Sequence, residues 1–141
     1  MKVLVIDDDP AMTDLLKILL EAASSGVCTA NSGVEGIALA KSTDIDIIIL
    51  DLMMPEMDGW QVCKAVRDFS SVPILILSAL DSPGMVAAAL DAGADDYLIK
   101  PVTSSVLIAH LKKLVRRNHR ADQSMIASLS NGGNSITASL L

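Results

Sequence analysis

The fold is decided by residues 2–10, which read KVLVIDDDP. The apolar run from Val3 to Ile6 is typical of a buried strand, and an acidic triplet ends it. Pro10 suits the first turn of a helix, where its missing N–H is no loss, and the preceding aspartate suits a helix cap. Apolar residues then return at helical spacing from Met12 to Leu20. The stretch therefore predicts a strand followed at once by an amphipathic helix.

This strand-and-helix pattern recurs along the chain. Five short apolar runs predict strands, and stripes of apolar residues at helical spacing lie between and after them. The strands are expected at Val3–Ile6, Val27–Ala30, Ile45–Leu50, Val72–Leu77 and Tyr97–Ile99. Gly26 and Gly93 follow apolar helical stretches, where left-handed helix caps are expected. The alternation predicts an α/β fold, a doubly wound five-stranded parallel sheet with helices on both faces.

Polar side chains follow four of the predicted strands. The first strand stops at the Asp7–Asp9 triplet, the third at Asp51, the fourth at Ser78, and the fifth at Lys100-Pro101. In a parallel sheet all carboxyl ends lie on one edge, where such folds bind ligands. We therefore expect these carboxylates, the hydroxyl and the ammonium group to share one pocket.

The chemistry available to that pocket is phosphoryl transfer. Clustered carboxylates are hard oxygen ligands that suit Mg²⁺, and an aspartate can act as a nucleophile toward a phosphoryl group. A cation, a hydroxyl and a lysine can stabilise the developing charge. The residue two after Asp51 is Met53, which cannot activate water. A phosphoryl group on Asp51 should therefore persist, as a signal does.

Composition excludes several classes of protein. The 141 residues carry a net charge of −6, which argues against direct nucleic-acid binding. Aromatic residues make up 2%, too few for a base-stacking platform. No apolar run approaches the roughly 20 residues that span a bilayer. The two cysteines, Cys28 and Cys63, form no disulfide framework and are expected to be reduced thiols in the cytoplasm.

A change in composition near residue 120 predicts a domain boundary. Residues 1–120 hold the repeated strands and helices, whereas residues 121–141 hold five serines and the turn-like sequence NGGN. We expect this Ser/Gly-rich segment to be a linker, or the start of an effector domain that continues beyond the chain.

Four pieces of the chain together resemble the receiver domain of two-component response regulators. They are VLVIDDDP at 3–10, DLMMPEMDG at 51–59, LSA at 77–79 and GADDYLIKP at 93–101. The resemblance covers about residues 1–118. It implies a flavodoxin-like strand order of 2-1-3-4-5, a known order of doubly wound sheets.

The resemblance also implies a metal site and a phosphoacceptor. Asp51 would accept the phosphoryl group from the phosphohistidine of a sensor histidine kinase or of a phosphotransfer protein. Asp8 would bind Mg²⁺ directly and Asp7 largely through water. Asp51 and the main-chain carbonyl of Met53 would complete the protein's ligands.

Three further residues receive roles from the resemblance. Ser78 would donate to the phosphoryl group, and Lys100 would pair with its oxygens, with a cis bond before Pro101. Tyr97 would turn inward when Ser78 moves, which would alter an output surface made by the fourth helix, the fifth strand and the fifth helix. The chain would be part of a transcriptional response regulator and not a turnover enzyme.

The same output surface is where related transcription factors form homodimers through paired charges. Three of those charges are kept here, at Asp95, Asp96 and Arg117. Where a basic, an acidic and a basic residue are usual, the chain has Val86, Val106 and His110. A homodimer through this surface would therefore use a drier, more apolar contact.

Two other functions remain open from the residues alone. Aspartyl-phosphate hydrolases use a similar set of Asp, Ser, Lys and metal, but they typically carry a second aspartate where this chain has Met53. A receiver that never accepts phosphate and acts only through protein contacts is the other alternative. The complete set of site residues argues against it.

Overall fold

The computed structural model describes the backbone of residues 1–140 and the side chains of residues 1–130. Strands and helices alternate along the chain, as the sequence predicts. The strands are β1 (Lys2–Ile6), β2 (Gly26–Ala30), β3 (Ile47–Leu50), β4 (Ile74–Ser78) and β5 (Asp96–Ile99). The helices are α1 (Pro10–Glu21), α2 (Gly33–Ser42), α3 (Gly59–Arg67), α4 (Pro83–Asp91) and α5 (Ser104–Leu140).

The five strands form one parallel sheet in the order β2-β1-β3-β4-β5, which confirms the predicted fold class and strand order. The register places Ile6 opposite both Ala30 and Leu50, so β1, β2 and β3 end at the same level. Ser78 pairs with Ile99 at the ends of β4 and β5. The residues that follow these strands therefore meet at one edge of the sheet.

Each face of the sheet buries an aliphatic core. Leu4, Ile48 and Ile76 point to the face covered by α2, α3 and α4. Val5 and Ile49 point to the opposite face, where the apolar stripes of α1 and α5 pack. The strands are apolar on both sides because helices cover both faces. Two packed layers of helices hold the polar edge of the sheet in place.

The helix caps confirm two predictions and contradict one. The Asp9 side chain accepts a hydrogen bond from the N–H of Ala11 and caps α1. Gly93, after α4, has a left-handed φ of 116°. The prediction for Gly26 was wrong, because this residue begins β2 and has no positive φ. The Ser24 hydroxyl donates to the carbonyl of Leu20 at 2.7 Å, so the end of α1 needs no left-handed glycine.

Helix α5 continues beyond residue 120, into the segment whose composition predicted a linker or the start of an effector domain. A helix that is already nucleated adds residues at little cost, and the buried turns around Leu107, Leu111 and Leu114 supply the nucleus. Residues 121–130 are helical and exposed, and the rest of the predicted linker lies outside the residues whose side chains are described. The boundary near residue 120 and the linker role stay predictions. Among the described residues, no helix has the length and apolarity to cross a bilayer.

Candidate functional site

Three carboxylates converge at the carboxyl edge of the sheet. Asp7 and Asp8 follow β1, and Asp51 follows β3. Because Ile6 and Leu50 are paired in register, their successors are neighbours. One carboxylate oxygen from each aspartate lies within 4.8 Å of the others. The structure therefore brings together the acidic residues that the sequence placed at one edge.

The three acids differ in their exposure. Asp7 is 4% and Asp51 9% exposed, whereas Asp8 is open to solvent. Burial raises the pKa of Asp7, and the N–H of Asp9 and the ammonium of Lys100 oppose that rise only in part. The ionised Asp7 carboxylate therefore costs folding free energy at neutral pH.

Lys100 reaches across the edge of the sheet to two of these acids. Its Nζ lies 3.0 Å from Oδ2 of Asp7 and 3.4 Å from Oδ2 of Asp51. Burial alone would lower the pKa of Lys100, but the hydrogen bond to Asp7 and the charges of both carboxylates together raise it. The Lys100–Pro101 peptide bond is cis, as the resemblance implied. The side chain is therefore a fixed ammonium group within the acidic pocket.

Ser78 and Tyr97 meet at the main chain of Leu80. The Ser78 hydroxyl is buried at the end of β4 and accepts a hydrogen bond from the N–H of Leu80 at 3.3 Å. The Tyr97 hydroxyl donates to the carbonyl of Leu80 at 2.6 Å. Burial raises the pKa of Tyr97, and the nearby Ser78 hydroxyl lowers it only in part, so the phenol stays protonated. The main chain of Leu80 therefore links Ser78 to Tyr97, and the sequence analysis did not predict this link.

Met53 lies in the loop after β3. Its main-chain N–H donates to Oδ1 of Asp51 at 3.3 Å, and the residue is 60% exposed.

Gly59, at the start of α3, is a further site residue without a predicted role. A Cβ there would overlap the main-chain carbonyl oxygen of Asp51. Only glycine lets α3 pack this closely on the Asp51 loop, and its place after a capping aspartate was the available signal.

The predicted output surface is apolar, and its acidic residues are paired within the chain. Asp95 bonds to Arg67 and Asp96 to His110, each at 2.8 Å. Exposed apolar side chains lie on all three of its elements, namely Leu90 on α4, Ile99 on β5 and Val106 on α5. The charges expected to pair between subunits are thus partly used inside one subunit.

Comparison with known proteins decides the family. The sequence matches the profile of the response regulator receiver domain over residues 3–112. The chain belongs to this family. The receiver domain is 42% identical over 125 residues to the DNA-binding dual master transcriptional regulator RpaA of Synechocystis, covering 86% of this chain and 52% of that protein. It is 42% identical over 123 residues to the response regulator MprA of Mycobacterium avium, covering 86% and 54%. It thus spans about half the length of these relatives.

Solved structures agree with the fold of this receiver domain. A receiver domain of the Francisella response regulator 1452 is 36% identical, with a TM-score of 0.77, and the match covers 83% of this chain and 98% of that one. The Vibrio cholerae chemotaxis protein CheY4 is 34% identical, with a TM-score of 0.74, and the match covers 80% and 97%. The protein is therefore a signalling protein of the two-component type.

The acidic cluster of this receiver domain fits a divalent cation. Receiver domains generally bind Mg²⁺, and the convergent atoms of Asp7, Asp8 and Asp51 are carboxylate oxygens, the hard ligands that Mg²⁺ prefers. Lys100 neutralises only part of this charge, and Asp8 stays open to solvent. The cluster can therefore hold a cation at the mouth of the pocket.

Asp7→Asn is expected to stabilise the metal-free receiver domain at pH 7, because burial disfavours the ionised Asp7 carboxylate and raises its pKa. Because the folded-state pKa of Asp7 is raised, wild-type stability falls as pH rises through that pKa, and the asparagine variant lacks this loss. The difference should vanish as the pH approaches 3.8, the ordinary pKa of an aspartate carboxyl group.

Urea unfolding in EDTA across this pH range measures the effect of Asp7→Asn. Asp9→Asn is the matched control, because Asp9 is exposed and asparagine also caps helices. It should leave the stability nearly unchanged. A lower stability of Asp7→Asn at pH 7 would contradict the burial argument.

Proposed function

We propose that Asp51 is the phosphoacceptor of this receiver domain, and that a histidine kinase or a phosphotransfer protein supplies the phosphoryl group from a phosphohistidine. The observation that carries the proposal is the setting of Asp51. Asp51 is 9% exposed, and its carboxylate faces the Lys100 ammonium at 3.4 Å and borders the acidic pair after β1. A nucleophile, a cation site and a fixed positive charge thus share one pocket.

The transfer balances without any further reactant. One carboxylate oxygen of Asp51 forms the bond to phosphorus, the P–N bond of the donor breaks, and the imidazole nitrogen keeps the electron pair. Asp7, Asp8, Asp51 and the carbonyl of Met53 would hold Mg²⁺. When bound, this ion neutralises charge on the phosphoryl oxygens and the carboxylates.

Lys100 and Ser78 supply the remaining contacts to the phosphoryl group. The raised pKa of Lys100 keeps it charged at neutral pH, so it can pair with a phosphoryl oxygen as it now pairs with Asp51. The Ser78 hydroxyl can donate to another oxygen when it shifts toward the phosphoryl group. The Lys100 ammonium already faces Asp51 before the reaction, which is how electrostatic stabilisation is most effective.

The switch passes from Ser78 to Tyr97 through the main chain of Leu80. Movement of the Ser78 hydroxyl toward a phosphoryl group weakens its bond to the Leu80 N–H and frees this segment. Because the Tyr97 hydroxyl donates to the Leu80 carbonyl, movement of this segment also changes the surroundings of Tyr97 on β5. Phosphorylation would shift a pre-existing equilibrium between two arrangements of the surface formed by α4, β5 and α5.

We propose that this surface acts through a homodimer with a mainly apolar contact. Val106 is 43% and Ile99 46% exposed, so a second copy can cover them. The Asp95–Arg67 ion pair and the Asp96–His110 hydrogen bond occupy these two acidic groups within one subunit. In the full protein, the dimer would control an effector that follows residue 120. The relatives named as transcriptional regulators support a DNA-binding output, placed outside this acidic domain and in the cytoplasm.

The decisive experiment is the intact mass of the whole chain after incubation with acetyl phosphate. With Mg²⁺, we expect one added phosphoryl group per chain, and with EDTA we expect none. Addition of phosphate that is independent of the metal would contradict the proposed cation site. Repeated release of phosphate from small esters would instead support the hydrolase alternative.

Met53→Asn is expected to shorten the lifetime of the phosphoryl group several-fold. The receiver is proposed to be no turnover enzyme, because the apolar side chain two residues after Asp51 cannot orient water, whereas an amide can. Decay of the phosphorylated mass over time measures the lifetime. Met57→Asn is the control, because it makes the same change at a partly buried methionine in the same loop. Met54→Asn is unsuitable because Met54 is buried. Equal lifetimes for wild type and Met53→Asn would contradict the role of Met53.

A further inference from the structure

Asn31 links the end of β2 to the acidic loop after β1. Its side-chain Nδ2 donates to the main-chain carbonyl of Asp7 at 2.9 Å and to the Thr13 hydroxyl at 3.0 Å. Asn31 is 24 residues from Asp7 in sequence, and it carries no charge. Neither the motifs at the strand ends nor the phosphoryl chemistry accounts for this contact.

The contact falls on the peptide group between two of the proposed metal ligands. The carbonyl that Asn31 holds belongs to Asp7, and the same peptide unit continues into Asp8. On the other side of Asp7, its N–H donates to the carbonyl of Ala30 at 3.1 Å. The end of β2 thus holds both main-chain polar groups of Asp7. Rotation of the Asp7–Asp8 peptide, which would turn the two carboxylates apart, breaks the bond to Asn31.

Thr13 determines how the Asn31 amide is oriented. Thr13 is 1% exposed, and its hydroxyl donates its only proton to the carbonyl of Pro10 at 3.1 Å. The Thr13 oxygen therefore offers Asn31 only a lone pair, as the carbonyl of Asp7 does. Two acceptors at one place require the NH₂ group of the amide and reject its oxygen. The chemistry of the contact therefore specifies a donor at this position.

We propose that Asn31 is a positioning residue for the cation site, because it holds the Asp7–Asp8 peptide so that the two carboxylates converge with Asp51. The inference rests on the proposed metal site. Convergence needs such a restraint, since the oxygens of three acids lie within 4.8 Å and like charges repel. A bond to the uncharged main chain restrains the loop without neutralising the charge that a cation needs.

Removal of the amide should therefore weaken Mg²⁺ binding more than it affects the fold. Asn31→Ala is expected to raise the Kd for Mg²⁺ ~10-fold, the lower end of the range for residues that orient metal ligands. Thr13→Val removes one of the two acceptors and should give a smaller increase. Thr13→Ser keeps the hydroxyl and should bind Mg²⁺ as the wild type does.

Ser32→Ala is the control for a merely structural role. Ser32 is the next residue, its hydroxyl caps α2 by accepting from the N–H of Glu35, and its replacement should lower stability. Its side chain has no hydrogen bond to the acidic loop among the residues described. We therefore expect Ser32→Ala to leave the Kd for Mg²⁺ unchanged.

Calorimetric titration of the whole chain with MgCl₂ tests the inference, beside urea unfolding in EDTA. Weaker binding by Asn31→Ala and Thr13→Val, with normal binding by Thr13→Ser and Ser32→Ala, would support it. Equal Kd values for wild type and Asn31→Ala, or the same increase in Ser32→Ala, would overturn it. If Asn31→Ala fails to fold, the comparison of Thr13→Val with Thr13→Ser decides. Absence of Mg²⁺ binding by the wild type would instead overturn the proposed metal site itself.

Discussion

Replacement of Asp51 with asparagine is expected to abolish phosphoryl incorporation. An amide oxygen is a poor nucleophile toward phosphorus, and the variant also loses one of the three carboxylates that converge at the sheet edge. Asparagine has nearly the same shape as aspartate, and its oxygen can still accept from the N–H of Met53. The fold should therefore survive, and the loss can be assigned to chemistry.

The intact mass after treatment with acetyl phosphate and Mg²⁺ measures this loss. Asp58→Asn is the matched control, because it makes the same chemical change in the same loop and keeps the cap of α3. It should accept one phosphoryl group, as the wild type does. A phosphoryl group found on Asp51→Asn under the same conditions would overturn the assignment of the phosphoacceptor.

Replacement of Lys100 with methionine is expected to affect both rate and stability. The ammonium lies 3.4 Å from Asp51, and the loss of a positioned charge from a phosphoryl-transfer site typically slows reaction by ~10²-fold or more. Methionine preserves the length of the side chain but leaves Asp7 and Asp51 buried without a counter-charge. Because Lys100 is itself partly exposed, the free energy of unfolding in EDTA should fall by roughly 2 kcal/mol, the cost of leaving a buried polar group without its partner.

A double-mutant cycle separates the electrostatic cause from lost packing. In the Asp7→Asn background, Lys100→Met should cost less stability, because one of its two partners is already neutral. Lys113→Met is the control for the rate, since Lys113 is exposed on α5. A Lys100→Met variant that incorporates the phosphoryl group at the wild-type rate would contradict the role of the ammonium. A cost that is equal in both backgrounds would contradict the coupling to Asp7.

Much of the site could be predicted from the sequence because its residues stand at the ends of strands. Asp7, Asp51, Ser78 and Lys100 each follow or end a strand, and parallel strands of similar length present their ends together. Short apolar runs are enough to locate β1, β3 and β4, because these strands are buried on both faces. The cis bond before Pro101 was implied only by the resemblance.

One prediction was wrong because a neighbouring side chain took over the role that a local signal had suggested. Gly26 resembled a helix cap, but the hydroxyl of Ser24 satisfies the last turn of α1, and the glycine begins β2 instead. The change in composition near residue 120 predicted a boundary followed by a linker or an effector domain, and this stays a prediction although α5 extends past that residue. Composition describes average preference, whereas the continuation of a helix depends on the turns already packed before it.

Periodicity and turn chemistry are local properties, so the order of strands and helices, the aliphatic core and the residue types at the sheet edge can be predicted from the amino-acid sequence alone. Which of these groups touch one another depends on the three-dimensional packing. It placed Asn31 against the Asp7 carbonyl, joined Ser78 to Tyr97 through Leu80, and paired Asp96 with His110. These contacts join residues that are distant in sequence or depend on main-chain groups that every residue possesses. Their existence therefore depends on how the helices pack against the twisted sheet.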